Sequence, residues 1–207
     1  MTDCLESLYK SFNKSFFRGN LPRPNFVPNL QRRQTFYFRS PAIIEVGSGF
    51  AEASKERILD DLLHSMIHLH NWSVGKPDVT RNQYHRNEFS ALAVKLGLFV
   101  AYQHTRGWAV TASNRQRLSS FSRIRAPECR DRLRQIYEQV HWPAEEIAKL
   151  QDQINEDMIA RPRKQFQFKY VCNCDSPFIV RVGRRPDSPT PFQAVCNYCN
   201  TKFVLAD

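Results

Sequence analysis

Apolar side chains in the first segment fall at Leu5, Leu8, Tyr9, Phe12, Phe16 and Phe17. Steps of three and four put them on one face and predict a helix over residues 3–17. Gly19 and the prolines of RGNLPRPNFVP break it. TFYF (Thr35–Phe38) and AIIEV (Ala42–Val46) are short, aromatic or β-branched runs and read as strands joined through Pro41. Ser54 is the expected N-cap of a second helix. In it Ile58, Leu59, Leu62, Leu63, Met66 and Ile67 recur as adjacent pairs every four residues, a broad apolar face. After the polar loop SVGKPDVTRNQ, a helix from about Arg86 carries Phe89, Leu92, Ala93 and Leu96 and stops at Gly97. RGWAVTA (Arg106–Ala112) reads as a strand. Pro127 and Pro143 open two more helices, with Leu133, Ile136, Tyr137 and Val140 on the first and Ile147, Leu150, Ile154 and Met158 on the second.

Beyond residue 160 the period changes. RPRK reads as a linker over 161–165, and residues 166–207 alternate strand-like runs with turns, as a small separate module does. The expected organisation is an α+β domain over 1–160, helices packed on a short sheet, with 113–160 as a basic segment and helical extension. A chain of 207 residues can bury a core without disulfide help. No apolar run is long enough to span a bilayer, and MTDCLESLYKSF lacks the pattern of a signal peptide. The expectation is therefore a cytoplasmic protein with no membrane partner, associated with the nucleoid in a bacterium or nuclear in a eukaryote. The sequence leaves the oligomeric state open.

The formal net charge of +10 changes the picture, because clustered Lys and Arg bind phosphates by releasing counterions. DNA is the expected partner. The candidate contacts are Arg115, Arg117, Arg123 and Arg125 in the middle of the chain, and Arg181, Arg184 and Arg185 in the terminal module. The aromatics interleaved there, Tyr170, Phe178, Phe192, Tyr198 and Phe203, suit base stacking and equally suit a minimal core.

Two histidines in LLHSMIHLHNW, His64 and His68, are four apart on the second helix and about 40° from each other round its axis, so both project to one side. Two such imidazoles can share one zinc. His85, in YHRNEF, is the candidate third ligand, after a loop long enough to return. The HxxxH pair alone is a weak signal, and His70 on the same helix shows how an ordinary histidine can fall there.

The order of these features resembles the SprT-like metallopeptidases, the family of the bacterial SprT proteins and the DNA-dependent protease Spartan. FNKSFFRGNLPRPNF (Phe12–Phe26) resembles the family's N-terminal segment, LLHSMIH (Leu62–His68) its metal helix, His85 with Phe89 its third-ligand region, and the Cys-x-Cys opening of the terminal module its zinc ribbon. The likeness covers residues 5–97 and 166–205. It implies a small zincin-like fold, zinc on His64, His68 and His85, and proteolysis of DNA-bound proteins.

The departure is Ser65, where the family has its general-base glutamate. A hydroxyl cannot take that role, so hydrolysis is expected to be impaired while metal binding survives. Glu88, three residues after His85, is the candidate substitute base. Asp60 and Asp61 are placed to hydrogen-bond a ligand imidazole, or to be ordinary acids near a helix start. The alternative is a catalytically silent zinc module that binds DNA or protein.

Cys172-x-Cys174 and Cys196-x-x-Cys199 are two close pairs flanking one hairpin-sized insert. Together they make a closed tetrahedral zinc site, structural because no coordination position is left open. Redox dithiols are the competing reading; neither pair precedes a βαβ pattern. Two zincs are thus expected. Cys4 and Cys129 read as core thiols.

Overall fold

Helix α1 (Thr2–Phe17) buries the expected stripe, with Leu5, Leu8 and Phe12 fully enclosed. The computed structural model describes residues 2–80, 82–128, 130–160, 168–182 and 192–205. Within them the chain is mixed α and β, divided into two compact units, Met1–Arg161 and Pro162–Asp207.

In the first unit the two expected strands, β2 (Phe36–Arg39) and β3 (Ile43–Val46), are present, and they pair antiparallel. A third strand, β1 (Asn25–Pro28), runs parallel to β3, giving the order β1-β3-β2 with β2 at an edge. The prolines of RGNLPRPNFVP point to a break here, yet the segment forms a strand. Pro28 sits at the strand's last position, and the ladder continues past it through Asn29 N–H to the Val46 carbonyl at 2.8 Å.

Helix α2 (Lys55–Ser73) starts at Ser54, whose Oγ accepts from the Arg57 amide at 3.3 Å. Its apolar face closes the main core and lies against β2. Helix α3 (Asn87–Lys95) ends in a tight turn: Gly97 has φ +105° and the Leu98 amide donates to the Ala93 carbonyl at 3.0 Å. Directly after it comes β4 (Phe99–Gln103), central between β5 (Gly107–Ala112) and β6 (Ile124–Arg125). β4 escaped the sequence reading because Phe99, Val100 and Ala101 are all buried, so no alternation marks it.

Helices α4 (Arg130–Gln139) and α5 (Ala144–Ala160) return Leu133, Val140, Ile147, Leu150 and Ile154 to the same core as α1 and α2. The described residues of the second unit form a three-stranded antiparallel sheet. β7 (Phe168–Val171) lies between β8 (Ile179–Val182) and β9 (Val204–Leu205). No helix among the described residues is long and apolar enough to cross a membrane. Cys4 is buried in the main core as expected; Cys129 lies outside the described residues.

Candidate metal centres

One turn of α2 separates His64 from His68, and both rings leave the same side of the helix. His85 arrives from the loop before α3. Its amide donates to the Arg106 carbonyl at 2.9 Å, and its own carbonyl accepts from Trp108 at 3.3 Å, so β5 fixes its backbone. Gly107 permits this approach: it has φ +65°, and a β-carbon there would collide with the His85 carbonyl and the Tyr84 ring.

The three Nε2 atoms form a triangle with sides of 3.1, 3.1 and 3.3 Å. Each opposite nitrogen is already engaged. His68 Nδ1 lies 2.8 Å from Asp78 Oδ2, His85 Nδ1 lies 3.1 Å from the Gln83 carbonyl, and His64 Nδ1 lies 3.0 Å from Thr111 Oγ1. The carboxylate and the carbonyl only accept, so the Nδ1 atoms of His68 and His85 carry their rings' protons. Their Nε2 lone pairs then converge on one point with the Nε2 of His64. Three lone pairs that close repel one another unless a cation sits between them. A tetrahedral zinc bound at about 2.0–2.1 Å needs nitrogens about 3.3–3.4 Å apart, so the triangle fits with minimal adjustment.

Electrostatics point the same way. Burial, with the neighbouring rings adding to it, pushes His64 well below its ordinary pKa of 6.5 and His85 down to about 4. Both are neutral at physiological pH, the form that ligates metal. The Phe89 ring backs all three imidazoles, with centroid distances of 4.5, 4.6 and 4.8 Å, and excludes water from that side. On the other side lies a cavity of about 400 Å³. The arrangement offers three ligands and an open approach.

The partners of these rings were not legible in the sequence. Asp78, read only as part of a polar loop, is buried and also accepts from Asn71 Nδ2 at 2.9 Å. Asp60 and Asp61 do not take that place. Asp60 is fully buried and receives Ser113 N–H at 3.0 Å, Arg117 Nη1 at 2.6 Å and Tyr137 O–H at 2.9 Å, tying α2 to the β5 end and to α4. Asp61 pairs with Arg57 Nε at 2.6 Å and lines the cavity; burial raises its pKa despite that guanidinium.

Ser65 is buried beside the cavity, and among the described residues its hydroxyl has no hydrogen-bond partner. Glu88, by contrast, is exposed on the first turn of α3 and does not line the cavity, so nothing places its carboxylate at the histidines.

In the second unit the sulfurs of Cys172, Cys174, Cys196 and Cys199 lie within 4.8 Å of one another. Cys172 and Cys174 are 3.3 Å apart, and Cys174 and Cys196 are 3.7 Å apart. Zinc–sulfur bonds of about 2.3 Å require separations near 3.8 Å, which these approach. Cys172 follows β7 and receives the Phe178 amide at 3.2 Å; Cys196 opens a tight turn closed by Asn200 N–H to its carbonyl at 2.9 Å. Thr201 holds the Cys199 thiol down to about 6 through its hydroxyl and backbone, favouring the thiolate that binds metal. The module's aromatics divide. Tyr170, Phe192 and Phe203 pack on one another as a core, whereas Phe178 and Tyr198 pair at 6.1 Å and are 53% and 87% exposed.

Within the first unit the candidate arginines are divided among different partners. Arg117 is spent on Asp60. Arg125 lies 4.0 Å over the Trp108 ring and bonds Ser90 Oγ and Asn87 Oδ1, and Arg123 lies 4.5 Å over Tyr102. Arg115 and Arg181 are exposed; Arg184 and Arg185 lie outside the described residues. No family model, curated protein or solved structure matches the chain.

Proposed function

We propose that the protein is a two-zinc protein of the SprT-like metallopeptidase type, acting on or near DNA, in which Ser65 has left the catalytic centre with impaired proteolysis. The observation that carries this is the Nε2 triangle of His64, His68 and His85, with the outer nitrogens anchored on Asp78, Gln83 and Thr111. Zinc held there supplies Lewis acidity toward a carbonyl and lowers the pKa of water. The chain's own residues orient the ligands, exclude water through Phe89 and leave one side open. Among the described residues they present no free carboxylate at the cavity, since Asp61 is engaged by Arg57. The four-cysteine cluster, with all ligands sulfur, is assigned to a structural zinc.

The test is elemental analysis of the purified protein together with peptidase assays with and without DNA. Two zincs per chain, little turnover, and DNA affinity that falls steeply with salt are the expected results. One zinc, lost from none of the histidine variants, would sink the reading. The second reading, a silent zinc module that binds a partner, is favoured by the unpartnered Ser65 hydroxyl; it predicts no turnover under any condition.

A further inference from the structure

Three guanidinium groups, those of Arg32, Arg57 and Arg106, line the cavity over the histidines. Asp61 is the sole acid among the described lining residues. Arg57 uses Nε on Asp61 Oδ2 at 2.6 Å, which cancels that charge but leaves both terminal nitrogens of the guanidinium without a hydrogen-bond partner among the described residues. Arg32 is held in the same manner. Its Nε donates to Glu45 Oε2 at 3.3 Å and its guanidinium carbon lies 3.9 Å from the Tyr37 ring centroid, so the terminal fork is fixed in place and has no hydrogen-bond partner among the described residues. Glu45 does not neutralise it fully, because the same carboxylate also receives Arg39 at 3.5 Å. Arg106 is exposed and has no side-chain partner among the described residues. A planar fork anchored through Nε and presenting its end nitrogens is the geometry that takes a carboxylate or phosphate by two parallel hydrogen bonds.

We propose that this cavity is the binding site for an acidic stretch of polypeptide, whose carboxylates are taken by Arg32, Arg57 and Arg106. The proposal names the ligand class of the site described above, and rests on that reading only for the additional positive charge of zinc.

Two observations favour polypeptide over nucleic acid. The edge strand β2 lines the cavity through Phe36, Tyr37 and Phe38, and its only ladder among the described residues is with β3. A peptide can add to such an edge by main-chain hydrogen bonds, whereas a sugar–phosphate strand cannot. Further, the aromatic faces at the cavity are occupied: Tyr37 lies under Arg32, and Phe38 stacks on His68 with centroids 6.1 Å apart. Among the described residues, each of these two rings thus has one face already covered, which leaves less aromatic surface for an unstacked base. Ser65 contributes as well, because a carboxylate at that position would repel the acidic ligand.

The experiment uses the full chain loaded with zinc. Its affinity is measured by calorimetry for an N-acetylated, C-amidated heptapeptide with three central glutamates and for its triple-glutamine counterpart. The expected result is binding of the glutamate peptide about tenfold or more tighter, weakening with salt. Arg32→Gln and Arg106→Gln should each remove several-fold of that preference and leave the glutamine peptide's affinity and the zinc content unchanged. Arg106→Lys, which keeps the charge and loses the fork, should fall between. Thermal melts confirm that each variant is folded.

Equal affinity for the two peptides, or a preference indifferent to both arginines, would overturn the proposal. So would displacement of the peptide by an oligothymidylate whose own binding depends on Arg32 and Arg106, since the cavity would then be a phosphate site. A chain that binds no zinc at the histidines yet keeps the acidic preference sinks the function proposed above and leaves this inference standing.

Discussion

At the scale of single residues, the proposed function turns on Ser65. It stands on α2 beside His64, buried, and its hydroxyl at the cavity has no hydrogen-bond partner among the described residues. Ser65→Glu changes no ligand and restores a carboxylate. General-base assistance is worth roughly 10²–10⁴-fold, so peptidase turnover should rise by about that factor, read with a fluorogenic or DNA-bound substrate. No rise would mean that more than position 65 separates the cavity from an active site. Asp78 matters in a different manner. Its carboxylate fixes the His68 tautomer and is itself fixed by Asn71. Asp78→Asn should weaken zinc binding at the histidine centre by about 10–100-fold, measured by chelator competition, while the cysteine site keeps its metal.

At the scale of elements, α2 is both core and site. One face is apolar and fully buried, and it carries two histidines toward the cavity. Its orientation depends on Asp60, which joins it to Ser113 after β5, to Arg117 and to Tyr137 of α4. Asp60→Ala would leave Arg117 and Tyr137 without their acceptor. Breaking a buried ion pair costs about 3–5 kcal/mol. Arg117 is 32% exposed and can reach water, so a loss near the lower end of that range is expected in urea unfolding. A loss below roughly 1 kcal/mol, the ordinary worth of a surface pair, would show that the network does not hold the helix.

Across the whole molecule the two units have different sources of stability. The first has a continuous core contributed by α1 to α5 and its sheets. The second has, among its described residues, three short strands and a few packed aromatics, so under the proposed assignment the zinc on its four cysteines supplies much of its folding energy. Chelation should therefore abolish the second unit's amide-exchange protection and leave the first unit's melting transition in place. That transition should depend on pH in the metal-free protein. Burial holds His85 near a pKa of about 4 in the folded state against 6.5 ordinarily, and lowers His64 in the same direction. Between those values the unfolded chain binds protons that the folded one does not, so stability falls as pH drops from about 6.5 to about 4. His85→Gln should flatten the pH dependence of the melting temperature; an unchanged slope would contradict the assignment.

The sequence by itself determined the helices, because an apolar period of three and four residues is a local property that survives in isolation from the rest of the chain. It also determined the ligand candidates, because His64 and His68 on one helical face, and Cys172 with Cys174 and Cys196 with Cys199, are close in space as soon as they are close along the chain. Pairing one helix with a distant residue is another matter. That His85 meets His64 and His68 depends on the backbone of Arg106, just before β5, and of Trp108 within it, some twenty residues further on. The acid that orients His68 proved to be Asp78 and not Asp60 or Asp61, a choice made by how the loop after α2 folds back. The basic run from Arg115 to Arg125 looked uniform, yet the tertiary structure assigns Arg117 to a buried acid and Arg125 to a tryptophan face. Charge can be counted along a chain, but which charges remain free is settled only where distant segments meet, since burial and partner geometry set the energy of each.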